Sequence, residues 1–343
     1  MFENKNRTEI NQLGEKGLLK HLFNQYKLKN KTSFKGVNED CGMVLQNDHY
    51  QLLYSHNYCE NIHFDLSYTP LPHLGYKSVV AAISHLVAKG GKASQIAISV
   101  SMSNRFSLEA IEELYKGFFS ASHTFHVDIV SNQITSISQG IVINISAFGE
   151  VNINQAVLNS EAKENDLVLV TGDLGAAFMG LTILEREKRI FLEKPDFQPD
   201  LSGNDYLIQR QLKPEARIDI IDLFNQLKIK PNSMTLVNNG LAKALHQVSE
   251  NSQVGFTIYE DKLPIDPLTY QRSIDLGIDS TVACLNGGDD FELLFTIPQK
   301  DYDLVKGQLD FTIVGHCVPF TEGIHLISKG NNKYPIKEEL KLK

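Results

Sequence analysis

The apolar positions change their period along the chain, and that change predicts most of the elements. Leu13, Leu18, Leu19, Leu22 and Phe23 recur at helical spacing and predict a helix over 8–27. Two short alternating runs, 42–46 and 50–55, are separated by QNDH and predict a pair of strands. GYKSVVAAISHLVAKGG (75–91) predicts a helix stopped by Gly90 and Gly91. QIAISVSM (95–102) alternates as a strand, and LEAIEELYKGFFSASHTF (108–125) is amphipathic at the helical period. Strands at 127–130 and 140–151 close this half.

Near residue 151 the pattern restarts. DLVLVTGDLG (166–175) predicts a strand running into a glycine turn, followed by a helix over 176–188. A loop at 189–203 carries Pro195, Pro199, Ser202 and Gly203. Helices are predicted at 204–212, 215–227 and 239–250, with strand-like stretches at 254–260, 284–297 and 311–316. Two mixed halves, 1–150 and 151–343, indicate an α/β or α+β fold with a small-molecule cleft between them.

Composition narrows the function. The chain has 343 residues, about twice a typical domain, with 42% apolar and 22% charged residues. A net charge of −8 argues against a nucleic-acid partner, which needs clustered basic charge, but leaves room for a small anionic substrate. The first residues, MFENKNRTEINQLGEKG, are too polar for a secretory core, and no apolar run approaches the ~18 residues of a membrane span. Cys41, Cys59, Cys284 and Cys317 form no C-x-x-C pair, so a reducing cytoplasm is expected.

Candidate chemistry lies in a few stretches. LLYSHNYCENIHFD (52–65) gathers His56, Cys59, Glu60, His63 and Asp65, at spacings that match no familiar zinc pattern. NGGDDFELLFT (286–296) is either a backbone turn approaching a ligand or a solvated turn before a core strand. TGDLG (171–175) could offer helix-start amides to an anion, or be a plain strand–helix turn. Glu39 and Asp40 stand just ahead of the run at 42–46.

Read together, these stretches resemble the thiamine-monophosphate kinase family, within the aminoimidazole ribonucleotide synthetase-like superfamily. LGYKSVVAAISHL is similar to the family's Leu-Gly-Tyr-Lys-Ala helix, ENIHFD to its Glu-Gly-Val-His-Phe strand, and NGGDDFELLFT to its Gly-Gly-Glu/Asp-Asp-Tyr-Glu-Leu signature. TGDLGAAFMGL and YLIQRQLKPEARIDII match its scaffold, so the resemblance spans nearly the whole chain. It implies a two-domain α/β (α+β) fold whose N-terminal sheet pairs across a dimer. It also implies transfer of the γ-phosphoryl of ATP to thiamine phosphate, with Asp-held Mg²⁺ neutralising the phosphates.

Carried over by position, the resemblance assigns metal-binding places to Asp40, Ser55, His56 and His85. It assigns nucleotide-binding places to Asn132, Gln133, Asn159, Asn238 and Asn239, and substrate-binding places to His63 and Asp289. No catalytic residue is assigned. Family acids fall on His56, His85, Gln133, Leu236 and Asn239, none of which is acidic here, and Mg²⁺ prefers oxygen ligands. The family's aromatic C-terminal end is absent from IKEELKLK.

Three readings follow: a working kinase; a non-catalytic relative that binds a phosphorylated ligand or pairs with an active kinase subunit; and a softer-metal site at His56, His85 and Cys59. Asp40, His56, His85, Gln133, Asn239 and Asp289 are expected to line one cleft. The two imidazoles are expected to gain charge between pH 8 and 6. Apolar surplus on VVAAISHLVA and on the strands at 95–102 and 140–149 is expected to build a dimer through this half, a homodimer or a heterodimer.

Overall fold

The computed structural model describes residues 13–36, 39–196 and 198–338. Its first sheet has six strands: β1 Ser33–Lys35, β2 Gly42–Gln46, β3 His49–Cys59, β4 Lys92–Met102, β5 Asp128–Ser136 and β6 Ile141–Asn152. Their order is β1-β2-β3-β6-β4-β5. The helices of this half are α1 Gly14–Phe23, α2 Leu71–Val87 and α3 Leu108–Phe125.

The second sheet comprises β7 Leu167–Thr171, β8 Ser233–Val237, β9 Val254–Tyr259, β10 Glu292–Ile297, β11 Phe311–Pro319, β12 Ile324–Ile327 and β13 Lys333–Pro335. They run in the order β13-β12-β9-β11-β7-β10-β8. Around them lie α4 Ala176–Glu193, α5 Asp205–Leu212, α6 Ile218–Leu227, α7 Leu241–Ser252, α8 Pro267–Asp275, α9 Ser280–Asn286 and α10 Tyr302–Val305. Pairing is antiparallel except at β4–β5 and β9–β12, so the architecture is mixed. The long cluster of buried side chains crosses from Met43 and Leu52 of the first half to Phe295 and Phe311 of the second.

Strand alternation decides what faces the core. On β6, Ile141, Ile143, Ile145 and Ala147 are buried, and on β4, Ile96, Ile98 and Val100 are buried. The opposite face of these strands carries Ser55, Asn57, Ser99, Asn144 and Ser146. The expected apolar surplus for pairing therefore points inward, onto α2 and α3. Helix α2 is buried on nearly every side because it also meets the second half. It crosses α3 at two glycines: a Cβ on Gly75 would sit 2.2 Å from the Leu114 carbonyl oxygen, and one on Gly117 would sit 2.0 Å from that of Pro72.

Several boundaries differ from the sequence pattern. Helix α2 begins at Leu71, because Pro70 and Pro72 suit a helix start and do not interrupt it. Strand β3 continues through His56 to Cys59. The stretch 284–297 divides into the end of α9 and strand β10, and α4 runs on to Glu193. Strands β1, β8, β12 and β13 and helices α8, α9 and α10 were not anticipated. Residues 8–12 of the predicted first helix and 339–343 of the C-terminal end lie outside the described residues. Among the described residues, no helix is long and apolar enough to cross a membrane. All four cysteines are free.

Candidate functional site

Helix α2 aligns the first set of side chains. Lys77, Ala81 and His85 share one stripe at i, i+4 spacing, and Lys89 continues it just past the cap residue Ala88. Lys77 Nζ donates to the Gln211 carbonyl (2.6 Å) and to Asp289 Oδ2 (2.8 Å), joining α2 to the second half. Asp289 is a non-glycine residue at φ 64°, followed by Phe291 at φ 54°, so this turn holds left-handed backbone that side chains disfavour. Its N–H donates to the Asn238 carbonyl (2.8 Å), while Asn238 Oδ1 is buried with no hydrogen-bond partner. A Cβ on Gly288 of the same turn would sit 3.1 Å from the Asn238 carbonyl oxygen and 3.9 Å from the Asn239 Cα, so the two backbones run close.

At the other end of the stripe, Lys89 has none of its side chain exposed. Its ammonium lies 2.8 Å from Glu39 Oε2, 2.8 Å from Asp40 Oδ2 and 3.1 Å from the Met234 carbonyl. Asp40 Oδ1 accepts from Thr235 Oγ1 (2.7 Å) and from the Leu236 N–H (3.2 Å). Burial alone would push the ammonium down; the Asp40 and Glu39 carboxylates outweigh it and hold Lys89 above the usual lysine range.

Between these ends lies a cluster of rings. His85 stacks on Tyr54 with centroids 3.7 Å apart, and His56 lies 6.4 Å from His85 and 6.2 Å from His63. The Cys59 N–H donates to His63 Nδ1 (3.0 Å), which leaves Nε2 to carry the proton of the neutral ring. Both ring nitrogens of His85 are sheltered from solvent and make no well-formed hydrogen bond, although the backbone and carboxylate of Asp40 lie close enough to act on the ring. Burial lowers His56 and His85 to about 4, with His63 adding to the shift at His56. Both rings are therefore neutral at pH 6. This corrects the expectation that they charge between pH 8 and 6.

Other predicted residues lie elsewhere. Ser55 opens onto the far face of the first sheet, where its Oγ is 3.0 Å from Ser146 Oγ and accepts from Asn144 Nδ2 (3.0 Å). Asn132 Oδ1 accepts from Tyr115 OH on α3 (2.9 Å), so alternation turns Gln133 onto that far face too. Strand β5 is also three places from β3, about 14 Å across the sheet. Gln133 thus does not line a cleft with His56 and His85 within one chain. Asn159, expected at a nucleotide, has no exposed surface. Its N–H donates to Glu39 Oε2 and its Oδ1 accepts from Asn251 Nδ2, so it braces the seam between the halves.

The TGDLG turn is also filled from within. Asp290 accepts from the Gly175 and Ala177 N–H groups (2.9 and 3.3 Å), taking the place an external anion would need at the start of α4. Arg210 and Arg217 both bind Glu292, at 3.0 and 2.6 Å. A cavity of about 540 Å³ opens beside them, but its arginines are already neutralised. The chemistry gathers instead at α2, where Lys77 and Lys89 were missed in the sequence. The signal for them was two lysines in or beside the apolar helix VVAAISHLVA, where a buried charge requires a partner.

Mg²⁺ requires a near-octahedral oxygen set. Asp40 and Glu39 are closed by Lys89 and by second-half donors, and the neighbouring ligand positions offer imidazole. Among the described residues, no group of three His, Cys, Asp or Glu side chains is placed to hold a metal. The residues do not fit Mg²⁺, and the softer-metal site at His56, His85 and Cys59 is not formed either.

Residues 38–151 match the family model for the N-terminal domain of AIR synthase related proteins. The chain is 30% identical over 247 residues to the thiamine-monophosphate kinase of Bacillus subtilis, covering 72% of each chain. It is 27% identical to that of Aquifex aeolicus, covering 93% of this chain and 96% of the relative. A solved structure described as AaThiL complexed with AMPPCP and TMP superposes with a TM-score of 0.81 at 26% identity, covering 96% of this chain and 97% of the other. The HypE–HypF complex, at 18% identity and a TM-score of 0.72, shares the fold.

Proposed function

The chain belongs to the thiamine-monophosphate kinase family, and on that premise we propose that its cleft takes a thiamine phosphate and an adenine nucleotide. The observation that carries this reading is the Lys77–Asp289 pair, 2.8 Å apart, which joins the two halves and whose carboxylate is close enough to act on His56. Lys77 serves a phosphate by exchanging its Asp289 partner for it, and His63 supplies a donor from Nε2. Both hold the ligand; neither needs a metal.

Phosphoryl transfer rests on positioning and on neutralising the transferred charge. The acids that would hold cations for that purpose are replaced or already paired, so we expect binding to survive better than turnover. Every 1.4 kcal/mol of transition-state stabilisation lost with those oxygen ligands is about tenfold in rate. A steady-state assay with ATP, Mg²⁺ and thiamine phosphate, run beside the Bacillus subtilis relative, tests this. The expected result is measurable thiamine phosphate binding with kcat at least ~100-fold lower. Equal turnover, or no binding, overturns it.

The same reading includes assembly. On the face of the first sheet opposite α2 and α3, Ser55, Asn57, Asn144 and Ser146 form one polar network across β3 and β6, and among the described residues no helix packs over it. A second copy of the chain is its proposed cover.

A further inference from the structure

We infer that Lys89 is a built-in counter-ion: its ammonium stands between Glu39 and Asp40 where a divalent cation would have to bind, and so makes the acidic turn independent of metal. The inference rests on ion-pair geometry and holds whether or not the chain turns over. Failure of the kinase assay and failure of a metal titration are therefore separate results.

Lys89 sits within ion-pair distance of both acids, although Asp40 Oδ2 has no hydrogen-bond partner. Asp40 Oδ2 and Glu39 Oε2 share the ammonium, at 2.8 Å each. Asp40 Oδ1 takes two donors from β8, and Glu39 Oε2 also takes the Asn159 N–H (3.2 Å). The acid side chains are 4% and 3% exposed, and Lys89 is 0% exposed, so water cannot screen the pair or exchange with it readily. A divalent ion entering here would have to expel a tethered cation and leave it buried without partners, which is strongly unfavourable. The next side chain on the α2 stripe, His85, offers neutral nitrogen and no carboxylate.

The position of Lys89 adds a second consequence. Its bond to the Met234 carbonyl, with the Asp40 contacts to Thr235 and Leu236, pins the acidic turn of the first half onto β8 of the second. A free metal ion could leave such a joint on chelation; a lysine cannot.

The test uses the full chain with Mg²⁺ alone and with Mn²⁺ as a spectroscopic probe. For the unaltered protein, the unfolding midpoint is expected to be the same in millimolar Mg²⁺ and in chelator, and Mn²⁺ resonance should show no saturable site. Lys89→Met frees the two acids, so its midpoint should climb with Mg²⁺ as for any ligand that binds only the folded state. Saturable Mn²⁺ binding to the unaltered protein that is lost in Asp40→Asn overturns the inference, and that measurement does not depend on Lys89→Met folding. A folded Lys89→Met protein that gains no more from Mg²⁺ than the unaltered chain overturns it as well.

Discussion

Tyr54 and His85 lie ring on ring, and the imidazole nitrogens beside that stack are out of reach of water. Burial lowers His85 to about 4 from 6.5, so between those values the unfolded chain binds a proton that the folded chain refuses. The stability this contributes is complete above about pH 6.5 and is lost as pH falls toward 4, by at most ~3 kcal/mol for the ring. His85→Phe keeps the stack and removes the titration, so the fall in stability on acidification should be shallower than in the unaltered chain when both are unfolded in urea across this range. The His56 and His85 imidazole resonances should stay flat down to pH 6; a midpoint near 6.5 defeats the argument. A second expectation concerns Lys77, only 5% exposed. Lys77→Met should weaken thiamine phosphate binding by about 10- to 100-fold, the worth of a charge-assisted hydrogen bond, and leave unphosphorylated thiamine nearly unaffected. Calorimetry with both ligands separates the two. The histidines were legible in LLYSHNYCENIHFD, but the use of Lys89 was not. Its partners Glu39 and Met234 are 50 and 145 residues away, beyond any local pattern.

At the scale of elements, periodicity set the bounds best where one face is buried, and shifted them or missed the element where every face is. Helix α3 is half exposed, and its predicted bounds of 108–125 are the observed ones. Strand β8 is buried at all five positions, so SMTLV shows no alternation to mark it. The α2–α3 crossing is another feature the pattern conceals, because two glycines in helices read as weaknesses. Here they let the backbones touch. Gly117→Ala places a methyl 2.0 Å from the Pro72 carbonyl oxygen and should cost about 1–3 kcal/mol, or more if the helices cannot part. The same change at Gly307, where nothing lies within 4 Å but φ is +82°, costs only backbone strain of about 1–2 kcal/mol. A thermal scan of Gly117→Ala alone tests the crossing: an unchanged midpoint would mean that α2 and α3 are not held as described. If they part, the Lys77 stripe moves with them, so ligand affinity should fall along with stability.

For the whole molecule, the fold was carried by resemblance rather than by period, because strand order such as β3-β6-β4-β5 depends on contacts between distant segments. That order also explains why two predicted site residues miss the cleft. Ser55 and Gln133 face away from α2, onto the open side of the first sheet, along with Asn57, Asn144 and Ser146. An antiparallel sheet can leave such a face in water, so the face by itself does not require a partner. What favours a second copy is that polar side chains from two strands already bond to one another there, giving a patch of fixed shape. Asn144 is half-buried and donates to Ser55 and Asn57, so replacing it costs those bonds, about 1 kcal/mol, besides reporting on assembly. Asn144→Arg should therefore lower the thermal midpoint modestly and leave thiamine phosphate affinity close to that of the unaltered chain, while like charges brought face to face across a twofold axis drive the copies apart. Light scattering is expected to give the mass of two chains for the unaltered protein and of one for Asn144→Arg. A single-chain mass for both would remove the proposed pairing and leave Ser55 and Gln133 facing solvent.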